Sequence, residues 1–184
     1  MVDATSALPG RNEAIFVVPD RHAVFGTSMS PDGADVEHIY LAMGCFWGAE
    51  EIYWRLPGVV ATSVGYMGGF TEHPTYEEVC TGMTGHTEAV YVAYRQSEID
   101  TYSILKVFWE NHDPTQGYRQ GNDIGTQYRS AIYYTTPHQR DLAEATRDSY
   151  AEVIAARGYP EITTEIAPAS DFTYYLADDY HQQY

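Results

Sequence analysis

Cys45 is the residue of this chain best suited to covalent chemistry. It stands in Leu41–Trp54, LAMGCFWGAEEIYW, behind an apolar run that ends in Gly44 and ahead of a segment in which Phe46, Ala49, Tyr53 and Leu56 repeat at steps of three or four. A strand-to-helix turn at Gly44 puts the cysteine at a helix N-terminus. Unpaired amides and the helix dipole there favour the thiolate over a thiol whose ordinary pKa is about 8.5. The competing role is that of a small buried hydrophobe, since free cysteine is among the most buried residue types. Phe46 and Trp47 weigh against it. Adjacent residues at a helix start point in different directions, so both cannot enter one core and at least one lines a cleft. The second cysteine, Cys80 in EEVCTG, is read as packing.

The elements that must position this thiol follow from periodicity and punctuation. HIYLAMG reads as a buried strand, the Phe46–Leu56 repeat as a helix stopped by Pro57-Gly58, and VVATSVGY as a β-branched strand. A glycine-rich loop, MGGFTEHPTYEEVCTGMTGHT, leads to the strand EAVYVAY. Asp100 caps a second helix with Tyr102, Leu105, Phe108, Trp109 and His112 on one face. A long loop, DPTQGYRQGNDIGTQYRS, precedes the strand AIYYT. Thr136, Pro137 and Gln139 then start a third helix that runs to about Arg157 and ends at Gly158, and TTEIAPA supplies a last strand. The order βαββαβαβ, with two strands in succession, predicts an α/β protein of the two-layer α+β, ferredoxin-like kind, its mixed sheet flanked by helices. Residues 1–36 are read as an arm lying on a single domain of residues 37–184. Loops beyond about 12 to 15 residues in a compact domain are usually functional or disordered, and the Tyr, His, Arg and Asp content of these two favours function.

Composition narrows the partners. At 184 residues, with 44% hydrophobic and 14% aromatic residues and 17 tyrosines, one packed domain is expected. Ten Lys plus Arg against 26 Asp plus Glu give a formal charge of −16, which repels phosphate backbones and anionic membrane surfaces. Neither a signal peptide nor a bilayer-spanning apolar stretch is visible, so a cytoplasmic monomer with both cysteines as thiols is expected.

Five separate blocks, GCFWG with YWRLPGV, GYMGG, TYEEVCTGMTGHTEAV, FWENHDPTQGYRQGNDIGTQYRSAIY and HQQY, occur in the order found in the peptide methionine sulfoxide reductase A family, which the chain resembles from about Ile39 to Tyr184. The arm, with ALPGRN and HAVFGTSM, is similar to that of the longer bacterial members. The resemblance implies thiol-dependent reduction of methionine S-sulfoxide, free or in peptides and proteins, without cofactor or metal. Cys45 is then the nucleophile, and Phe46 and Trp47 the apolar walls that hold the substrate's methyl group. Glu88 in HTEAV takes the place of the acid, Tyr76 and Tyr128 those of the hydroxyls on the sulfoxide oxygen, and Asp123 in GNDIG that of a supporting polar residue.

The chemistry of the residues is consistent with these roles. Sulfoxide sulfur becomes electrophilic enough for attack only as its oxygen gains a proton, so the acid must be protonated. Burial of Glu88 from about 4.3 to about 7 corresponds to about 3.7 kcal/mol of differential stabilisation. Attack leaves a sulfenic acid on Cys45. In the family a glycine-rich tail after HQQY carries a resolving cysteine whose disulfide thioredoxin reduces, whereas the sequence here reaches Tyr184 with no further cysteine. Regeneration by thioredoxin or small thiols is therefore expected to require a thiol that reaches Cys45. Arg119 and Arg129 are expected to brace the long loop by pairing with Asp113 or Asp123, and His86 to organise its own loop. Competing readings are a cysteine hydrolase with His86, His112 or His181 as base, an aromatic cage with Cys45 incidental, and a metal site at His86 and Glu88 or at His112, whose spacing fits no metal motif.

Overall fold

Strand β1 (Val36–Ala42) alternates: Ile39 and Leu41 enter the main core, while Tyr40 and Ala42 face the other side of the sheet. The same alternation runs through β2 (Val59–Met67) and β3 (Thr87–Arg95), where Val64, Tyr66, Val90, Val92 and Tyr94 share the main core with Ile39. Three helices, α1 (Phe46–Trp54), α3 (Thr101–Glu110) and α4 (Pro137–Ala155), cover that face with Tyr53, Ile104, Leu105, Phe108, Trp109 and Ala143. Burial of each such large side chain contributes roughly 1.5–3 kcal/mol. The opposite face is built from Ala42, Ala61, Ala89, Ala93 and Ala131, whose small size lets an irregular C-terminal segment lie close with Phe172 and Tyr174.

These features belong to a computed structural model that describes residues 1–184. The six-stranded sheet has the order β7-β6-β1-β3-β2-β8. Its inner strands β6 (Ala131–Tyr134), β1, β3 and β2 are antiparallel neighbours, the arrangement of a βαββαβ ferredoxin-like core. Strand β7 (Glu165–Pro168) joins β6 in parallel and β8 (Tyr175–Leu176) joins β2 antiparallel, which makes the sheet mixed, as expected. The caps expected at Asp100 and Thr136 are present, accepting from the amides of Ser103 and Gln139, and Gly158 takes the left-handed conformation that ends α4. No helix is long and apolar enough to cross a membrane.

The expected element order needs three additions. A five-residue helix, α2 (Tyr76–Cys80), lies between β2 and β3, started by a capping box in which Thr75 and Glu78 satisfy each other's amides. The long loop folds as a short hairpin, β4 (Arg119–Gln120) with β5 (Asp123–Ile124), and β8 follows β7. Elements of two to five residues are too short to show a period.

Up to Asp35, one residue short of the expected boundary because Val36 already belongs to β1, the arm contains no helix or regular strand, and it is tied to the loop that carries α2. Leu8 N–H donates to the Met83 carbonyl at 2.9 Å, Thr71 Oγ1 to the Leu8 carbonyl at 2.7 Å, and Arg11 meets Glu78 through both guanidinium nitrogens at 3.0 and 2.6 Å. The long loop is braced by Gln120, which accepts from the Asp113 amide at 3.0 Å and donates to its carbonyl at 2.7 Å. The expected Arg–Asp braces do not form: Arg119 donates to the Gly121 carbonyl, and the buried Arg129 to the carbonyls of Thr126 and Gly68, with Glu165 at 3.6 Å. In an interior that already shields Arg129 from water, nearby carbonyls are cheaper partners than distant carboxylates.

Gly44 turns the chain from β1 into α1 at φ +92°, and a Cβ there would stand 2.7 Å from Cβ and Cγ of Gln120. Gly44→Ala is expected to lower the unfolding free energy by about 1–3 kcal/mol in urea titrations, and to weaken any chemistry that depends on the placement of Cys45.

Candidate active site

Cys45 is the N-cap of α1, half-buried, and its own side chain caps no amide. The amides of Trp47 and Gly48 act on the sulfur in the direction that favours the thiolate, as expected of a helix N-terminus. They do not prevail. Burial, first, and the nearby carboxyl groups of Glu88 and Asp123 push the thiol above its ordinary value, so the resting group is a thiol, contrary to the expected thiolate bias.

Glu88 opens β3 on the helix-covered face and is 2% exposed. Its Oε2 accepts from the backbone N–H of Phe46, the residue after the thiol, at 3.0 Å. Burial pushes its carboxyl up to about 8, with Asp123 adding to the rise and the Phe46 amide opposing it. At neutral pH the group therefore holds a proton, as a general acid must.

Two hydroxyls expected at the site converge on this pair. Tyr76 is the first residue of α2, and Tyr128 sits in the 3₁₀ turn that follows the hairpin. Both are partly buried and burial raises both phenols, that of Tyr76 with help from the Cys80 thiol and then the Glu88 carboxyl, that of Tyr128 to about 12 with Glu88, Cys80, Asp123 and Cys45 contributing in turn. Asp123 is exposed on β5, its carboxylate without a hydrogen bond, and close enough to act on Cys45, Glu88 and Tyr128 together. Phe46 and Trp47 diverge as expected. Phe46 is 1% exposed, packed on Tyr66 and His181 with ring centroids 5.7 and 5.4 Å away, while Trp47 is half-exposed at the cleft.

Several participants escaped the sequence. Tyr66 is the direct cross-strand partner of Glu88, on the same face, and its buried hydroxyl has no protein partner. Only the register of β2 on β3 reveals that juxtaposition. His181 receives a hydrogen bond from the Trp47 indole, and Glu50 is fully buried on α1. Cys80, expected to pack inside, is exposed at the last residue of α2, beside the Tyr76 hydroxyl. The imidazoles open to a hydrolase have other partners: His86 lies between the Gly69 amide and the Thr71 carbonyl, as expected of a loop organiser, His112 contacts the Phe108 carbonyl and Ser130, and His181 accepts from Trp47. None meets Cys45. A hollow of about 430 Å³ beside Tyr40, Met67 and Phe172 lies on the far face of the sheet and is lined by neither cysteine nor acid.

The fold and the site define an α/β protein in which a half-buried cysteine stands beside a carboxyl group that keeps its proton. The family profile described as peptide methionine sulfoxide reductase matches residues 37–184. Peptide methionine sulfoxide reductase MsrA of Salinispora arenicola is 57% identical over 187 residues, covering 100% of this chain and 83% of that protein. The Rhodospirillum centenum protein of the same name is 58% identical over 182 residues, covering 98% of this chain and 82% of its own length. Among solved structures, methionine sulfoxide reductase A of Corynebacterium diphtheriae superposes with a TM-score of 0.94 at 47% identity, over 100% of this chain and 88% of that one. The chain belongs to the peptide methionine sulfoxide reductase family.

The raised pKa of Glu88 has a consequence for stability. An unfolded glutamate loses its proton near 4.5, the folded one near 8, so the folded chain holds an extra proton between those values. Stability associated with that proton is complete below the lower value and is lost as pH rises toward the upper one, by no more than about 5 kcal/mol. Glu88→Gln is expected to flatten this slope, so that urea midpoints at pH 5 and pH 8 converge and the variant exceeds the parent at pH 8. Parallel slopes in the two proteins would contradict the raised pKa.

Proposed function

We propose that this chain reduces methionine S-sulfoxide to methionine, free or within peptides and proteins, and so repairs oxidised side chains. The observation that carries the mechanism is the Phe46 amide holding a buried, protonated Glu88 beside the Cys45 thiol. Trp47 and the edge of Phe46 receive the methyl group, and the hydroxyls of Tyr76 and Tyr128 donate to the sulfoxide oxygen, with Asp123 supporting the polar side of the cleft. Cys45 Sγ attacks the sulfoxide sulfur while the Glu88 proton moves to the oxygen. As the thiol is deprotonated its proton restores Glu88. The sulfur–sulfur bond so formed and the substrate S–O bond then break as the hydroxyl passes to Sγ, leaving a sulfenic acid on Cys45 and releasing the substrate sulfur, reduced by two electrons, as methionine.

Two thiols complete the cycle: the first displaces water from the sulfenic acid and forms a mixed disulfide, and the second releases Cys45. Thioredoxin or small thiols supply them. A cytoplasmic setting, which keeps both cysteines reduced, and a monomeric state complete the proposal.

The test separates the two sulfoxide epimers, with dithiothreitol as reductant. Turnover is expected for the S form alone, lost in Cys45→Ser and reduced by about 10²–10⁴ in Glu88→Gln. Tyr76→Phe and Tyr128→Phe are each expected to reduce kcat/KM by about tenfold. With one equivalent of S-sulfoxide and no reductant, intact mass is expected to show one added oxygen on Cys45. Activity on the R form alone, or a Cys45–Cys80 disulfide in place of the oxygen, would contradict the scheme.

A further inference from the structure

The segment Asp178–Tyr184 is fastened to α1 and β2 by buried polar groups that the proposed reaction does not use. The Gln182 side chain accepts from the Val64 amide at 2.9 Å and donates to the carbonyls of Val64 and Ala177 at 2.8 and 2.9 Å. Gln183, held at φ +51°, donates its backbone N–H to Glu50 Oε2 at 2.9 Å and its side-chain amide to Glu50 Oε1 at 2.8 Å. The Thr62 hydroxyl supplies another bond to the same fully buried carboxylate at 2.8 Å. A polar clamp of this kind, satisfied on every side, rigidifies what it holds.

What it holds is the His181 imidazole, itself fully buried. Its Nδ1 lies 2.9 Å from Trp47 Nε1. An indole nitrogen only donates, so Nδ1 is the acceptor and the imidazole proton resides on Nε2, which has no hydrogen-bond partner and faces Asp178 at 4.0 Å. The ring stacks on Trp47 at 5.6 Å and 27° and contacts Tyr76 at 4.6 Å, while Tyr184 stacks on the same indole at 4.1 Å and 18°. Trp47 and Glu50, one turn apart on α1, thus receive the same strap.

We propose that His181 is a positioning residue for the substrate pocket: its Nδ1 fixes the Trp47 indole in the orientation that receives the sulfoxide's methyl group, and the Glu50–Gln183 clamp fixes His181. The inference rests on Trp47 being a pocket wall. Without an acceptor the half-buried indole N–H is left unpaired, which favours rotation of the ring toward water. The loss then falls on substrate binding rather than on the chemical step, because Cys45 and Glu88 are held by other contacts.

The experiment is a double-mutant cycle on methionine S-sulfoxide with dithiothreitol, reading kcat and KM separately. His181→Phe keeps a ring but removes the acceptor, and is expected to raise KM by about tenfold with kcat within about twofold. His181→Asn, whose side-chain oxygen falls near the position of Nδ1, is expected to recover most of that loss. In a Trp47→Phe background, which has no N–H to tether, His181→Phe is expected to add less than about twofold. The same factor in both backgrounds, no recovery by Asn, or a fall in kcat at unchanged KM would overturn the tether. A Trp47→Phe variant with unaltered KM would instead overturn the pocket-wall role. Should His181→Phe not fold, nitrogen NMR of the parent decides: slow exchange of the Trp47 indole proton with Nδ1 unprotonated supports the tether, and free exchange refutes it.

Discussion

The hydrogen bond from the Phe46 amide to Glu88 joins the start of α1 to the start of β3, and the chemistry of the site depends on it. An unpaired helix N-terminus ordinarily draws a carboxylate, since its amides and dipole favour negative charge. Here a single amide faces a carboxyl group that is almost completely removed from water, and desolvation prevails: Glu88 keeps its proton up to about 8. The Cys45 thiol is raised by the same burial and by the same acid. The resting site therefore carries a neutral acid and a neutral thiol. A neutral thiol is also less open to oxidation than a thiolate.

The sheet explains why these groups meet. Strands β1 and β3 are antiparallel, with Leu41 opposite Val90, so the C-terminal end of β1 lies beside the N-terminal end of β3. Cys45 follows the first and Glu88 begins the second. The C-terminal end of β2 and the N-terminal end of β6 fall at the same edge, since Tyr66 pairs with Glu88 and Ala42 with Ala131. Both long loops therefore open there, one bringing Tyr76 on α2 and the other Asp123 and Tyr128. Loops on a rigid sheet can place side chains from distant parts of the chain around one thiol without disturbing the core.

The thiol at a strand-to-helix turn was legible because local signals agree: an apolar run, a glycine suited to positive φ, and an apolar repeat that begins at once. The caps at Asp100 and Thr136 were legible because each is followed by a long apolar repeat, whereas the capping box of α2 precedes only five helical residues and passed as loop. The direction of the Cys45 shift was not legible, because it depends on Glu88 and Asp123, which lie far along the chain. The exposure of Cys80 was hidden in the same way. Its neighbours Glu78 and Val79, read as part of a glycine-rich loop, belong to a helix whose start is fixed by a capping box, and one face of so short a helix remains in solvent. Arg129 was misassigned because its partners lie far along the chain: the fold surrounds it with the carbonyls of Thr126 and Gly68 and with the Glu165 carboxylate rather than with Asp113 or Asp123.

Two buried glutamates near one helix show how the same side chain acquires different tasks. Glu50 accepts from Thr62, the Gln183 amide and the Gln183 side chain, and these donors offset much of the burial that raises it. Glu88 has one protein donor, so little opposes its desolvation, and its second oxygen has no protein partner. Three donors around a carboxyl group make an anchor, since moving any of them leaves a buried polar atom unsatisfied. One donor leaves a proton that can be given away. The difference lies in the number of hydrogen bonds supplied by the surrounding chain, which is why Glu50 can hold the C-terminal strap while Glu88, at a similar depth, keeps a proton that few contacts oppose.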